Sequence, residues 1–535
     1  MKRTVLSLVA LLLTLEAFAQ FSGQGTGTER DPYLVSNADE LFEVRNDLNA
    51  YYKQTEDIDL GDWLKENGTD QGWAPIGTSA YPFCGHYDGN MKIIKGLYIK
   101  RPTSSYVGFF GFVQGANIKN MAFVNPKIEG GENVGTIIGL LHYAGVVSNN
   151  IVCFGSITSQ KYAGGIVGNM DYPEKWNDES ISQLSGNYVY AQLSGEVVGG
   201  ICGIECSEYF VCPGYTLNSM KIIEDNSANC RITAKIGGGI LGKSDPYFKG
   251  SSQYKDNSNE RIERNISQGT LYAENYAGGI IGSYTVFNSC GKNFVDKNCA
   301  IMSEICSSSS QTYRICNYDW NGYKNVANAT MKLISLGKEV AVEDDGYNGI
   351  GYSLKTLKRK STYEGLGFDT SKQWNIVEGE SYAYNINQSA PAKISSFISG
   401  SECVISGSAV GNGVAYILVN GNFYETVIDN GKWFVNVGHI VDGTQACICV
   451  KTENFMPSIV IEAISETQNE PAQIVKLGDS NSDGSVDAAD VVSIINYILG
   501  KPSSSFNNKN ADTNGDGQIL VDDAVGTVNI IMNEQ

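Results

Sequence analysis

The sequence predicts a mainly β chain: a parallel β-helix (solenoid), then a small β-sandwich, then a small α-helical module. Three observations carry that prediction. A glycine–apolar–apolar–glycine pattern returns again and again between residues 108 and 282. Short alternating runs separated by Asn-Gly turns occupy 395–468, and two acidic, glycine-centred loops running into apolar helices occupy 477–535. The composition agrees. Among 535 residues there are 60 Gly and 30 Tyr but only 12 Pro and 3 His, which suits a turn-rich β protein and leaves little material for histidine chemistry. Fifty-eight acidic against 39 basic side chains give a net charge of −19, and phosphate binding needs a basic patch, so nucleic acid is excluded as a partner. Only 18% of residues are charged and 42% are hydrophobic, so the chain folds rather than trailing as an acidic coil.

Residues 1–19 read as a secretory signal. Lys2 and Arg3 supply the positive end, Val5 to Leu15 the apolar stretch, and Ala17-Phe18-Ala19 a small-x-small cleavage site before Gln20. An uncleaved anchor is the alternative, but the run is too short to span a bilayer and no later segment has eighteen uninterrupted apolar residues, so no transmembrane segment is expected. The expected location is extracellular or on the cell surface.

The solenoid prediction covers 20–390. The pattern appears as Gly108-Phe109-Phe110-Gly111, then Ile137-Ile138-Gly139 with Thr136 in the first glycine's place. It continues as Gly165-Ile166-Val167-Gly168, Gly200-Ile201-Cys202-Gly203, Gly239-Ile240-Leu241-Gly242 and Gly279-Ile280-Ile281-Gly282. The steps of 28, 29, 35, 39 and 40 residues mark stacked supersecondary units, one coil each, and fit a propeller blade less well. Alternating runs such as Ala116–Val124 fit strands with one face inward. The lengthening steps predict loops growing on one side, at 171–185 and 244–262.

These residues also resemble the GLUG-motif β-helices of bacterial surface and secreted proteins. The resemblance begins at Gly25-Thr26-Gly27-Thr28 and Asp31-Pro32-Tyr33-Leu34-Val35, passes Asp57-Ile58-Asp59-Leu60, Trp73-Ala74-Pro75-Ile76-Gly77, Asp88-Gly89-Asn90 and Gly96-Leu97-Tyr98-Ile99, and fades after about residue 300. It implies the fold and an adhesin-like setting, and no chemistry.

In 395–468, Val414 to Gly421, Asn430 to Val437 and Cys447 to Val450 alternate as short strands between Asn-Gly turns, the pattern of a small antiparallel sandwich. The string resembles a bacterial immunoglobulin-like spacer with Trp433 in its core; a carbohydrate-binding sandwich is the alternative. The 13 cysteines are an odd number, so at least one is unpaired. Cys202 sits where Val167 and Ile281 stand in sister repeats and reads as a buried hydrophobe. Cys447 and Cys449 share a strand face, with Cys403 a candidate disulfide partner for one of them.

The most specific chemistry lies in 477–535. Asp479, Asn481, Asp483, Asp487 and Asp490 place oxygens at positions 1, 3, 5, 9 and 12 of a loop. Gly484 stands at the sharp turn, and Ser485 is positioned to offer its carbonyl. A second copy follows 33 residues later with Asp512, Asn514, Asp516, Gln518 and Asp523, where Leu520 takes position 9 and a water must replace that oxygen. Hard Ca²⁺ prefers such an oxygen cage, so two Ca²⁺ sites are expected. Nine acidic residues against two lysines make folding and metal binding coupled. Each loop leads into one helix, Val491 to Leu499 and Ala524 to Met532, without the entering helix of an EF-hand. The tandem resembles a type I dockerin. That resemblance implies attachment to a cohesin on a scaffold or cell surface, with Ala488, Ala489, Val521 and Asp522 at the recognition positions.

No catalytic residue is singled out. His86, His142 and His439 form no H-E-x-x-H, and no G-x-S-x-G occurs. Tyr313, Tyr318, Trp320 and Tyr323 read as core or cap packing, with sugar stacking as the alternative. The expected function is a non-catalytic adhesion rod, binding a polysaccharide or a host glycoprotein and held by the dockerin. The rival is a carbohydrate-active enzyme, a polysaccharide lyase or glycoside hydrolase, on the same β-helix.

Overall fold

The computed structural model describes residues 21–533 apart from 172–180, 207–208, 211–215, 218–219, 246–247, 250–254, 257–258, 286–293, 320–322 and 468–475. The expected leader 1–19, Trp320 and most of the two expected loops lie outside the described residues. The chain divides into two compact units, one ending at Ser465 and one starting at Glu466.

The first unit is built on two parallel sheets whose neighbouring strands lie one sequence repeat apart. One sheet passes through Phe110–Lys119 and Ile138–Ser148 and then divides. Val167–Met170, Cys202–Cys206, Leu241–Asp245 and Ile281–Tyr284 form one branch; Ile181–Ser185, Met220–Glu224 and Asn259–Glu263 form the other. The second sheet carries Lys127–Gly130, Ile151–Ser159, Tyr188–Gly199, Ser227–Gly238 and Ile266–Gly278. The glycine pattern explains the stacking. Its second apolar residue pairs in register from copy to copy (Phe110, Ile138, Val167, Cys202, Leu241, Ile281), and each of these side chains is fully buried. Cys202 is a core hydrophobe, as its place in the repeat predicts. The leading glycine is needed because the coils touch there: a Cβ on Gly239 would lie 2.0 Å from the carbonyl oxygen of Gly279.

The register runs beyond the point where the glycine pattern stops. Ile281 donates its amide to Ile315 at 3.0 Å, so Arg314-Ile315-Cys316-Asn317 takes the next place in the stack. Arg314 stands where the earlier copies have glycine. It is 3% exposed, and its guanidinium is held by Asp344 at 2.8 Å and by the carbonyl of Gly349 at 2.7 Å.

A second buried column is absent from the sequence reading. Asn150, Asn187, Asn226, Asn265, Asn298 and Asn325 stack one per repeat, each 2% exposed or less. Each after Asn150 accepts both the backbone and the side-chain N–H of the asparagine before it at 2.9–3.1 Å, as Asn226 does from Asn187. The residue before each of the first five turns a left-handed corner, with φ of 54° at Asn149, 67° at Gly186, 56° at Asp225, 55° at Arg264 and 59° at Lys297. The ladder satisfies polar groups that such corners would otherwise bury unpaired.

Residues 393–464 form two antiparallel sheets. One holds Lys393–Ser396, Gly400–Ser408 and Lys432–Ile440; the other holds Asn422–Ile428, Gly413–Val419, Gln445–Thr452 and Ile461–Ile464. Asn420-Gly421 and Asn430-Gly431 both have positive φ, 49° and 75°, then 49° and 74°, as a two-residue hairpin demands. Trp433 lies 2% exposed between the sheets with Ile405, Ile417 and Ile448.

The spacer expectation meets a different placement. The outer face of the four-stranded sheet packs on the parallel sheets: Tyr416, Cys449, Met456 and Val460 share one apolar cluster with Ile93, Ile151, Cys153 and Tyr188. The Tyr188 hydroxyl accepts the Val460 amide at 2.8 Å, and Lys95 pairs with Glu425 at 2.8 Å. Cys403 lies inside the sandwich, whereas Cys447 and Cys449 face the parallel sheets, so the structure does not bring Cys403 to either. Strand alternation separates them. Residues 357–383 add a further apolar patch, with Tyr363 and Trp374 packed on Ile266, Cys299 and Val326.

Candidate metal centre

The second unit repeats one loop–helix design twice. In the first loop, Asp479 receives the amides of Asp483 and Gly484 on its two oxygens, both at 3.1 Å. Asn481 accepts from the Asp483 amide at 2.8 Å, and Asp483 from that of Ser485 at 2.9 Å. Asp490 is fully buried; its carboxylate accepts the amides of Asn481 at 3.1 Å and Asp487 at 2.9 Å. In the second loop, Asp512 receives Gly515 at 2.8 Å, Asp516 at 3.2 Å and Gly517 at 2.9 Å. Asn514 accepts from Asp516, and Asp516 from Gln518, each at 2.9 Å. Asp523, also fully buried, takes Thr513 and Leu520 at 2.9 Å. Gly484 and Gly517 turn at φ of 91° and 81°, where a side chain would strain the loop.

These bonds order the acidic side chains of each loop, and the side-chain amides of Asn481 and Asn514 also donate to Asp483 at 2.8 Å and to Asp516 at 3.2 Å. The Ser485 amide and then the Asn481 side chain hold the Asp483 carboxyl below the usual carboxylate range, so it is ionised. All the donors are oxygens, the preference of Ca²⁺ over softer metals.

The helices begin earlier than the apolar periodicity predicts, at Ala488–Ile498 and Val521–Asn533. Asp487 caps the first, accepting from Ala489 at 2.7 Å, while Asp490 returns a bond to Asp487 and closes a capping box. Ala488, Ala489, Val521 and Asp522 therefore lie in first helical turns, and all four are exposed. The halves are joined by Asn510, whose side chain donates to the Asp479 carbonyl at 2.9 Å, and by Ile494, Ala511 and Ala524 in a shared core. Asn510 had no signal in the loop pattern.

Elsewhere the carboxylates of Glu205 and Glu260 share the Ser244 hydroxyl at 2.8 and 3.3 Å beside Lys221. All four side chains are 5% exposed or less. Tyr313 stacks with Tyr347, Tyr318 meets Tyr284, and Tyr323 meets Phe294, so the structure disperses the aromatic group into separate packing contacts.

Two relatives share part of the chain. A "Putative Gly-rich membrane protein" of Evansella cellulosilytica is 35% identical over 134 residues, 24% of this chain and 15% of its own length. Halomucin of Haloquadratum walsbyi is 28% identical over 152 residues, 27% of this chain and 2% of its own. The chain thus spans a small part of the curated relatives it matches. No helix among the described residues is long and apolar enough to cross a membrane. The family model for the dockerin type I domain matches residues 477–525, over both loops. Residues 477–525 are a type I dockerin domain, a module that binds calcium and implies a cohesin partner.

Proposed function

We propose that this chain is an exported adhesion protein, held on a cohesin-bearing scaffold or surface protein by its calcium-loaded dockerin. Residues 1–19 serve as the signal peptide, 20–390 coil as a GLUG-type parallel β-helix, 395–468 form an immunoglobulin-like sandwich, and 477–535 attach the whole. The observation that carries this reading is the recurrence, 33 residues apart, of the same loop positions accepting the same downstream amides, with Asp479 taking Gly484 at 3.1 Å as Asp512 takes Gly517 at 2.9 Å. Asp479, Asn481, Asp483, Ser485, Asp487 and Asp490 would hold one Ca²⁺; Asp512, Asn514, Asp516, Gln518 and Asp523 would hold the other. Ala488, Ala489, Val521 and Asp522 would meet the cohesin. The β-helix acts as a glycan- or protein-binding rod; burial of the Glu205–Glu260 pair away from solvent favours binding over cleavage.

Calcium titration of the full chain by calorimetry tests the attachment. Two ions per chain are expected, and chelator should abolish cohesin capture and remove helical signal while the β signal stays. Helicity unchanged in chelator would sink the calcium argument.

A further inference from the structure

We propose that a trough at the junction of the parallel sheets and the antiparallel sandwich binds a neutral oligosaccharide, a reading that rests on the binding role given above. The second parallel sheet presents two outward rows that the register aligns rung by rung. Ser156, Gln192, Arg231 and Thr270 form one row; Thr158, Ser194, Thr233 and Tyr272 form the next. The intervening Ile157, Leu193, Ile232 and Leu271 point inward and are buried. Two adjoining cavities of about 480 and 380 Å³ share Ser156, Gln192 and Arg231, so they make one continuous depression. The sandwich supplies its wall with Leu418, Gly421, Cys447 and Glu462. Neither sheet system makes the trough alone.

The lining chemistry selects the ligand. Most of the polar groups are hydroxyls and amides, which exchange paired hydrogen bonds with vicinal sugar hydroxyls. The two opposite charges at the wall are engaged with each other: Arg231 lies 3.7 Å from Glu462 and donates to Gln445 at 2.6 Å, and the Tyr190 hydroxyl donates to Glu462 at 2.5 Å. That leaves Lys127 as the one unbalanced charge among the lining residues, too few cations for a polyanion. Strands stacked about 4.8 Å apart repeat a hydroxyl at every rung of the second row, from Thr158 to Tyr272, at a spacing close to one pyranose ring of an extended chain. Beyond the lining of the two cavities, the half-exposed Tyr272 ring continues the second row at the fourth rung.

Saturation-transfer NMR and calorimetry on the full, calcium-loaded chain test this, with hexaoses of glucose, xylose, mannose and galactose as neutral probes and hexagalacturonate as the anionic one. At least one neutral hexaose should bind. Gln192→Trp, which plugs the trough, should weaken it tenfold or more, and the milder Gln192→Ala about threefold. Both changes fall on an exposed rung, and Val410→Trp on the outer sandwich surface should change nothing. Unaltered affinity in both Gln192 variants would place the site elsewhere and overturn the inference while the binding role stands. Binding of hexagalacturonate alone would overturn the neutral class. No binding of any probe would overturn the inference and leave the dockerin reading with a protein ligand.

Discussion

Glu260 shows what a single buried side chain does to this fold. Burial, and then the nearby Glu205 carboxylate, push its carboxyl up from 4.5 to about 8. The folded chain therefore keeps a proton that the unfolded chain loses near pH 4.5. Its contribution to stability is full below that pH and is lost as pH rises toward about 8. Glu260→Gln should flatten that part of the stability–pH curve, measured by denaturant unfolding at pH 5, 6, 7 and 8; an unchanged slope would remove Glu260 as its source. Asn226 makes a second residue-scale case. It accepts from Asn187 and donates to the Leu184 carbonyl and to Asn265, all without solvent. Asn226→Leu leaves several buried groups unpaired and should cost about 3 kcal/mol or more. A loss below 1 kcal/mol would mean the ladder is dispensable there. Nothing in the sequence reading pointed to this column. One asparagine per repeat, preceded by residues as different as Gly186, Asp225 and Arg264, carries no apolar period to catch the eye.

Among elements, the glycine repeat was legible because its cause is steric: where one coil's backbone meets the next, a Cβ has no room. Gly239→Ala would place a methyl 2.0 Å from the Gly279 oxygen and 2.6 Å from the Ser267 Cβ, so the coil must shift. A drop in melting temperature of several degrees is expected by calorimetry, against almost none for Gly365→Ala, which ends the helix Lys360–Gly365 with no atom within 4 Å of the added methyl. The pattern was lost after 300 because a different residue takes the glycine's place. Arg314 fits the next place because Asp344 and the Gly349 carbonyl satisfy its charge, a compensation made by residues 30 and 35 positions away that no local pattern reveals. In the dockerin, by contrast, each loop carries its expected metal-binding side chains within twelve positions, so the module was readable from local sequence. Only the helix starts moved, because Asp487 and Asp490 cap the first helix one turn before its apolar stripe begins.

At the scale of the molecule, the two units differ in what holds them. The sandwich reads from its strands as a free spacer, since alternation shows which face is apolar but not what covers it. The structure gives the four-stranded sheet a second apolar face, and Tyr416, Cys449 and Val460 bury it against the parallel sheets. A shared core makes the sandwich and the parallel sheets unfold together. The dockerin, a separate compact unit with a small buried core (Ile494, Ala511 and Ala524) and many carboxylates, is expected to depend on calcium for its fold. Scanning calorimetry of the full chain should therefore show two transitions, the smaller one moving with calcium concentration and the larger one indifferent to it. Val460→Asp puts a charge at a position 5% exposed beside Tyr188 and should lower the whole of the larger transition, as cooperative unfolding requires. If the larger transition instead splits, with a sandwich-sized part alone moving, the sandwich is an independent domain. The trough at its edge would then open and close with its docking.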